Sequence, residues 1–148
     1  MLNDIYSRRI LELAADIPHL GRLPEPDASA TARSKLCGST VTVYVKLDGN
    51  VVTAFAHEVQ ACALGQASSS IMGRNIIGST IEELRDIRDA ASRLLKDQGK
   101  PPEGKWEDLK ALEPLRDYRV RHASILLTFE AVVDALDQVE ARRIERVG

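Results

Sequence analysis

Apolar and polar residues alternate along two neighbouring stretches in the first half of the chain. One face of the first stretch carries Val41, Val43, Val45 and Leu47, and one face of the second carries Val51, Thr53, Phe55, His57 and Val59. A period of two residues is typical of a half-buried β-strand. Asp48-Gly49-Asn50 lies between the two stretches and favours a tight turn. The pattern therefore predicts a β-hairpin.

Other stretches have helical spacing. The first fifteen or so residues predict an amphipathic helix, and the prolines from Pro18 onward end it in a loop. Residues 61–72 predict a second helix, rich in alanine, glycine and serine, that can approach its neighbours closely. Thr80 and Glu83 form a capping box at the start of a third helix, which runs to about Leu95.

The last third of the chain predicts two further helical segments. Trp106, Leu109 and Leu112 indicate a short helix that stops near Pro114, where a helix loses a hydrogen-bond donor. From about Val120 onward, apolar residues recur at helical spacing over a long terminal helix. Trp106 and Tyr118 are interpreted as anchors that hold this region on the core.

Together these elements predict an α+β fold. We expect a small antiparallel sheet, the hairpin plus a third strand, covered by helices on one side and accompanied by a long C-terminal helix. The 148 residues are enough to build a core without disulfide or metal staples, so we expect one domain over residues 1–148.

Charge and hydropathy exclude several kinds of partner. The formal net charge is −2, and the arginines near the end of the chain are interleaved with Asp and Glu, so we expect no nucleic-acid partner. No apolar run approaches the roughly 20 residues that span a bilayer, so we expect no membrane partner. The first ten residues carry charges where a signal peptide needs apolar residues, so the cytoplasm is the expected location.

The two cysteines lie at the boundaries of the predicted hairpin. Cys37 immediately precedes its first strand, and Cys62 follows its second strand at the start of the small-residue helix. Because a hairpin returns its end beside its beginning, we expect the two thiols to be close together. The positive end of the helix dipole also favours the thiolate form of Cys62. The alternative is two buried structural cysteines.

Three motifs resemble those of the iron–sulfur cluster assembly scaffolds, the family of IscU, SufU and the N-terminal part of NifU. Cys37-Gly38-Ser39 resembles their Cys-Gly-Asp motif, and residues 61–71 resemble their cysteine followed by a Ser/Ala-rich helix. Residues 119–132 resemble their Arg-x-x-His-Cys-Ser-x-Leu motif. The stretch from Lys96 to Tyr118 is similar to the insertion of SufU-type members.

The resemblance implies a site for metal and for a nascent cluster. It assigns Cys37, Cys62 and His122 as ligands of iron, of a [2Fe–2S] cluster or of zinc, or of no stably bound group. Ser39 stands where the family has Asp, and Ala123 stands where it has a third Cys, so both are expected not to ligate. A cysteine desulfurase is the implied partner, and the oligomeric state stays open.

The other two histidines predict no ligand. His57 lies five residues before Cys62 on an extended strand, roughly 15 Å away, so it is expected to be a half-buried, hydrogen-bonded histidine and not a ligand. His19 is expected to lie in the loop after Pro18.

Three functions remain open. The first is a scaffold that is not an enzyme and turns over no substrate of its own. The second is an adaptor or regulator derived from a scaffold. The third is a small thiol enzyme that uses Cys37 and Cys62 as a redox pair, although the cysteines lack the C-x-x-C spacing of such enzymes.

Overall fold

The computed structural model describes residues 7–35 and 38–147. In chain order the elements are α1 (Arg8–Ala15), β1 (Ala28–Arg33), β2 (Thr40–Asp48), β3 (Val51–Gln60), α2 (Ala63–Asn75), α3 (Ile81–Lys96), a 3₁₀ segment η1 (Gly104–Asp117) and α4 (Arg119–Val147). The apolar residues predicted before Ser7 in the first helix lie outside the described residues.

The three strands form one antiparallel sheet in the order β1-β2-β3, which confirms the predicted hairpin and the third strand. Buried and half-buried residues alternate along β2, and Val41, Val43 and Val45 are fully buried. The opposite face carries cross-strand polar contacts, such as the one between the hydroxyls of Thr31 and Thr42 at 2.8 Å. Helices therefore cover one face of the sheet, as predicted.

The predicted face of β3 is interrupted by a bulge. Lys46 pairs with Ala54, whereas the next residue, Leu47, pairs with Val52. An extra residue in one strand turns the following side chains to the opposite face. Val52 is consequently buried, whereas Val51 and Thr53, which the alternation assigned to the buried face, are exposed.

The outer edge of β3 is covered by the loop after α1. The backbone N–H of His57 donates to the carbonyl of His19 at 3.0 Å, and the N–H of Gly21 donates to the carbonyl of His57 at 2.8 Å. His19 lies in this loop with φ at +64°, as the sequence predicted for a loop histidine. These backbone hydrogen bonds cover the edge of β3, with which a strand of another chain could otherwise pair.

The helices enclose one hydrophobic core. α4 packs across β1 and β2 and also contacts α2 and α3, while α1 lies against α2. Each of the four α-helices contributes buried side chains to that core, among them Leu13, Ile71, Leu84 and Phe129. The predicted second, third and terminal helices are all confirmed, with their boundaries shifted by up to three residues.

The segment between α3 and α4 differs from the predicted short helix. It is a 3₁₀ segment that continues through Pro114 to Asp117. The predicted anchor is confirmed, because Trp106 is buried and its Nε1–H donates to Glu83 Oε2 at 2.7 Å. Glu83 thus makes only half of the predicted capping box: its N–H donates to Thr80 Oγ1 at 3.0 Å, while its carboxylate turns to Trp106 and Lys105.

No helix within residues 7–35 and 38–147 is both long enough and apolar enough to cross a membrane.

Candidate functional site

Two chain junctions meet at the end of the sheet away from the Asp48–Val51 turn. Thr40, at the start of β2, pairs with Gln60 at the end of β3, two residues before Cys62. Ser34 and Ser39 flank the junction between β1 and β2, and the N–H of Ser34 donates to the carbonyl of Ser39 at 2.8 Å. The register therefore brings the residue before β2 to the same end of the sheet as the start of α2. Cys37 itself lies outside the described residues, so its predicted proximity to Cys62 stays a prediction.

Cys62 is the N-cap residue of α2. Its backbone is extended, with φ at −68° and ψ at 171°, and its side chain makes no capping hydrogen bond. The side chain is half-buried and forms no disulfide. N–H groups in the first turn of a helix lack intrahelical acceptors, and they favour a negative charge nearby. The thiol predicted as a ligand thus lies half-buried against the hydrophobic core, and it does not cap the helix.

Gly65 allows α2 to approach α4. A methyl group built at Gly65 would lie 3.2 Å from the carbonyl oxygen of Ser124 and 2.8 Å from Cβ of Ala61. No larger residue fits this contact without moving the backbone of one helix. Because Gly65 is one turn beyond Cys62, and Ser124 is two residues beyond His122, the contact brings the first turns of α2 and α4 together.

His122 lies in the first turn of α4, and it is buried. Its Nε2 lies 3.1 Å from the carbonyl oxygen of Leu115 and 3.0 Å from that of Arg116. Carbonyl oxygens only accept hydrogen bonds, so Nε2 carries the proton and Nδ1 is the basic nitrogen of the neutral ring. A backbone carbonyl that fixes the tautomer in this way is typical of metal-binding histidines, and it also occurs in histidines that only pack.

The two positions where the resemblance predicts a lost ligand differ in their surroundings. Ser39 is buried beside the start of β2. Ala123 is exposed and lines a groove together with His122. Among residues 7–35 and 38–147, no group of three or more His, Cys, Asp or Glu side chains is close enough to hold one metal ion. Of the three predicted ligands, Cys62 and His122 are the two that lie among the described residues.

His57 lies apart from these donors, and it is fully buried, not half-buried as predicted. Its Nε2–H donates to the carbonyl of Pro18 at 2.8 Å, which ties β3 to the loop after α1. Its Nδ1 is buried without a hydrogen-bond partner among the described residues. The aromatic ring of Phe55 packs against it, with the ring centroids 4.7 Å apart. The prediction that His57 is a hydrogen-bonded structural residue and not a ligand agrees with this placement.

Burial should make His57 a source of pH-dependent stability. Desolvation lowers the pKa of His57 below the ordinary value of 6.5, despite its hydrogen bond to Pro18. The unfolded chain then binds the proton more readily than the folded chain, so stability is highest above that value and is lost as the pH falls below it. We expect the free energy of unfolding to decrease between pH 7.5 and pH 5 by up to about 1.4 kcal/mol per pH unit from this one proton.

Denaturant titrations of His57→Gln, which keeps a donor for Pro18, should give a flatter pH dependence than those of the parent chain. His19→Gln removes an exposed histidine whose charge is the smallest of the causes that act on the pKa of His57, so its profile should stay much closer to the parent than that of His57→Gln does. If His57→Gln retains the full slope in this pH range, another group is responsible for it.

The groove beside Ala123 contains charged residues that the sequence did not indicate as site residues. Lys96, at the end of α3, and Arg119, at the start of α4, line the same groove although they are 23 positions apart in the chain. Arg119 is the arginine of the stretch that resembles the third family motif, but nothing in the sequence connects it with Lys96, so only the packing of α3 and α4 reveals that they are neighbours.

Comparison with known proteins points to one group of relatives. A profile described as the NifU-like N terminal domain matches residues 5–123 of this chain. The iron-sulfur cluster assembly scaffold protein IscU of Thermotoga maritima is 26% identical over 135 residues, which cover 91% of this chain and 94% of that protein. The zinc-dependent sulfurtransferase SufU of Bacillus subtilis is 28% identical over 98 residues, or 65% of each chain.

A solved structure is more similar still. The crystal structure of a nitrogen-fixing NifU-like protein (N-terminal) from Brucella abortus is 61% identical in sequence, with a TM-score of 0.93. The similarity covers 95% of this chain and 97% of that one.

Proposed function

Because the chain belongs to the family of NifU-like N-terminal domains, we propose that it is a scaffold on which an iron–sulfur cluster is assembled. The observation that supports this function best is the meeting of the first turns of α2 and α4 through Gly65 and Ser124. That contact brings the half-buried Cys62 toward His122, whose tautomer leaves Nδ1 as the ring nitrogen that can bind a metal. The name of the Thermotoga maritima relative, a cluster assembly scaffold that aligns over nearly the whole chain, points the same way.

Cys37, Cys62 and His122 are the proposed ligands. The pairing of Thr40 with Gln60 supports the inclusion of Cys37, because it brings the start of β2 to the end of β3, close in sequence to Cys62. Two thiolates and one imidazole are suitable donors for iron and for zinc.

This donor set fits a site that keeps one coordination position open. Zinc sites with three protein ligands leave the fourth position to water or to another molecule, whereas closed structural sites have four protein ligands. Ala123 offers no donor atom, and Ser39 offers only a hydroxyl. An open position suits a scaffold, which must accept a cluster as cargo and then release it. A bound zinc ion would supply a positive charge that holds the cysteines as thiolates.

We infer that sulfur arrives from a cysteine desulfurase as a persulfide. The Cys62 thiolate attacks the outer sulfur of the desulfurase persulfide, the S–S bond breaks, and the desulfurase cysteine leaves as a thiolate. The sulfur moves without net oxidation or reduction, so the chain needs no redox partner for this step. In this role the protein accepts and holds sulfur, and it is not itself an enzyme that turns over. The scaffold name of the Thermotoga maritima relative favours this function over a thiol redox pair.

The test is sulfur transfer in a defined mixture. The chain is incubated anaerobically with a cysteine desulfurase and cysteine, and intact mass spectrometry then counts the sulfur atoms bound to it. We expect a mass gain of one sulfur that maps to Cys62 and that a reductant removes. After reconstitution with ferrous iron and a dithiol reductant, which supplies the two electrons that convert each persulfide sulfur to sulfide, we also expect iron and acid-labile sulfide to be retained. A chain that gains no sulfur and retains no iron would contradict the scaffold function.

A further inference from the structure

The two outer edges of the sheet differ in how they are covered. The loop after α1 covers β3, through the backbone hydrogen bonds that join His57 to His19 and Gly21. β1 forms the other edge. Within residues 7–35 and 38–147, no strand or loop pairs with the outer side of β1. An uncovered strand edge is a template with which another strand can pair.

The register of β1 and β2 determines which backbone groups of β1 point outward. The N–H of Ser34 donates to the carbonyl of Ser39 at 2.8 Å. These two residues continue the register in which Arg33 pairs with Thr40. In an antiparallel ladder, hydrogen-bonded pairs alternate with pairs that exchange no hydrogen bond. Arg33 therefore makes no backbone hydrogen bond to β2, and the same holds for every second residue before it in β1.

Three residues of β1 thus direct their N–H and C=O groups away from β2, namely Ser29, Thr31 and Arg33. The hydroxyls of Thr31 and Thr42 lie 2.8 Å apart, which agrees with this register because side chains approach most closely in pairs without backbone hydrogen bonds. All three residues are exposed, and the strand has neither a proline nor a bulge. Prolines and bulges are devices by which natural edge strands prevent pairing.

A second copy of the strand can pair with all of these groups at once. When two β1 strands run antiparallel about a two-fold axis at Thr31, this residue lies opposite the partner's Thr31. Ser29 then lies opposite the partner's Arg33, and each of these pairs can exchange two hydrogen bonds. An axis at Ala30 would leave Arg33 without a partner in β1, and an axis at Ala32 would do the same to Ser29. The axis at Thr31 therefore gives the largest number of hydrogen bonds.

The same register brings opposite charges together. Arg33 lies opposite an uncharged serine, so the two Arg33 side chains are kept apart. Beyond the ends of the strand, Lys35 comes opposite the partner's Asp27, and this happens twice. Both side chains are exposed, and Lys35 forms no ion pair with the residues that the structure describes. One carboxylate oxygen of Asp27 accepts from the N–H of Leu47 at 2.7 Å, which leaves the other oxygen for the partner. Such complementary charges fix the register of an interface.

We propose that β1 is a dimerisation edge, through which two copies of this chain join into one continuous antiparallel sheet with its two-fold axis at Thr31. The candidate site lies beyond the Arg33 end of β1, where β2 begins. Because the two strands run in opposite directions, the dimer places its two sites at opposite ends of the interface. Each site therefore stays open to its own sulfur donor, and the dimer does not depend on the proposed scaffold function.

The first experiment removes the N–H at the centre of the interface. Sedimentation equilibrium of the metal-free chain between about 1 µM and 1 mM should show a reversible dimer. Thr31→Pro should weaken the dimer about tenfold or more, since two central hydrogen bonds are lost. The variant should still fold, because this N–H points away from β2. Thr31→Val is the matched control, which loses the same hydroxyl but keeps the N–H, and it should dimerise as the parent does.

A charge reversal tests the same edge without changing the strand. Lys35→Glu places two carboxylates opposite each other at both ends of the interface, so it should weaken the dimer about tenfold or more. Lys110→Glu changes the net charge equally at an exposed position in η1, and it should leave the dimer at the parent affinity. This pair of variants decides the question if Thr31→Pro does not fold.

The last experiment tests the register. In the proposed dimer the two Cα atoms at position 31 lie about 5.5 Å apart, within the range that a disulfide spans. Thr31→Cys should therefore form a disulfide-linked dimer on mild oxidation, above the background of the parent. Ser29→Cys should not, because its two copies lie four residues apart along the strands, or roughly 13 Å.

Three results would overturn the proposal: a chain that stays monomeric at about 1 mM, a dimer that Lys35→Glu leaves intact, or equal crosslinking of Ser29→Cys and Thr31→Cys. Sulfur transfer to Cys62 is measured separately, so the scaffold function stands or falls on its own test.

Discussion

Replacing Cys62 with serine should lower the affinity of the metal-free chain for zinc about a hundredfold or more, without unfolding it. A complete structural zinc site contributes about 10–16 kcal/mol, so one thiolate out of a few donors accounts for roughly 3 kcal/mol. Competition titration with a chelator of known affinity measures the change. The same variant should gain no sulfur in the desulfurase assay.

The structure explains why this variant should remain folded. Cys62 occupies the N-cap position of α2 and makes no capping hydrogen bond. Serine is among the preferred N-cap residues, and it accepts a hydrogen bond from the first turn of the helix. We therefore expect the free energy of unfolding of metal-free Cys62→Ser to equal that of the parent or to exceed it by up to about 1 kcal/mol.

Ala63→Ser is the matched control for this experiment. It adds a hydroxyl next to Cys62 but leaves both thiols in place, so its zinc affinity should equal that of the parent. If Cys62→Ser binds zinc as tightly as Ala63→Ser does, the metal is held elsewhere and the scaffold site must be reassigned.

Local pattern was sufficient to predict most of the fold. Strict alternation along β2 and helical spacing along α3 and α4 reflect one buried face on each element, and such a face is visible in a single stretch of sequence. β1 was expected but not located, because its sequence from Ala28 to Arg33 contains alanines where other strands have larger apolar residues. The bulge in β3 opposite Lys46 and Leu47 was missed for a related reason, since an extra residue changes the face to which the side chains point without changing the composition of the strand.

Tertiary contacts account for the features that the pattern did not predict. Glu83 fitted a capping box, but its carboxylate binds Trp106 from a segment 23 positions away. The sequence predicted that the helix ends near Pro114, whereas the buried leucines of η1 stabilise a 3₁₀ segment that continues past this proline.

The candidate site was only partly predictable for the same reason. The position of Cys62 at a strand-to-helix junction follows from local pattern, and the structure confirms it. The contact between α2 and α4 depends on Gly65, whose role is clear only once Ser124 is known to lie against it. The groove that contains Lys96 and Arg119 depends on two helix ends that no sequence window contains together.

Ala123→Cys is the substitution that should strengthen zinc binding. This change should raise the zinc affinity of the chain about tenfold or more, because it adds a thiolate to a site with three proposed donors. Ala123 is exposed at the start of α4, so the additional sulfur needs no space in the core. The free energy of unfolding without metal should therefore change by less than about 0.5 kcal/mol, as for other surface substitutions.

Ala123→Ser is the control, because it has nearly the same size as the cysteine variant and a hydroxyl that zinc binds poorly. It should leave the zinc affinity at the parent value. Ser39→Asp, alone and combined with Ala123→Cys, measures whether the other departure from the family motif acts independently. Ser39 is buried, so a new carboxylate there carries a larger cost in stability than the exposed cysteine does.

If Ala123→Cys folds normally but binds zinc no more tightly than Ala123→Ser, residue 123 does not face the metal. The alignment of residues 119–132 with the third family motif would then be wrong, and with it the proposed role of His122.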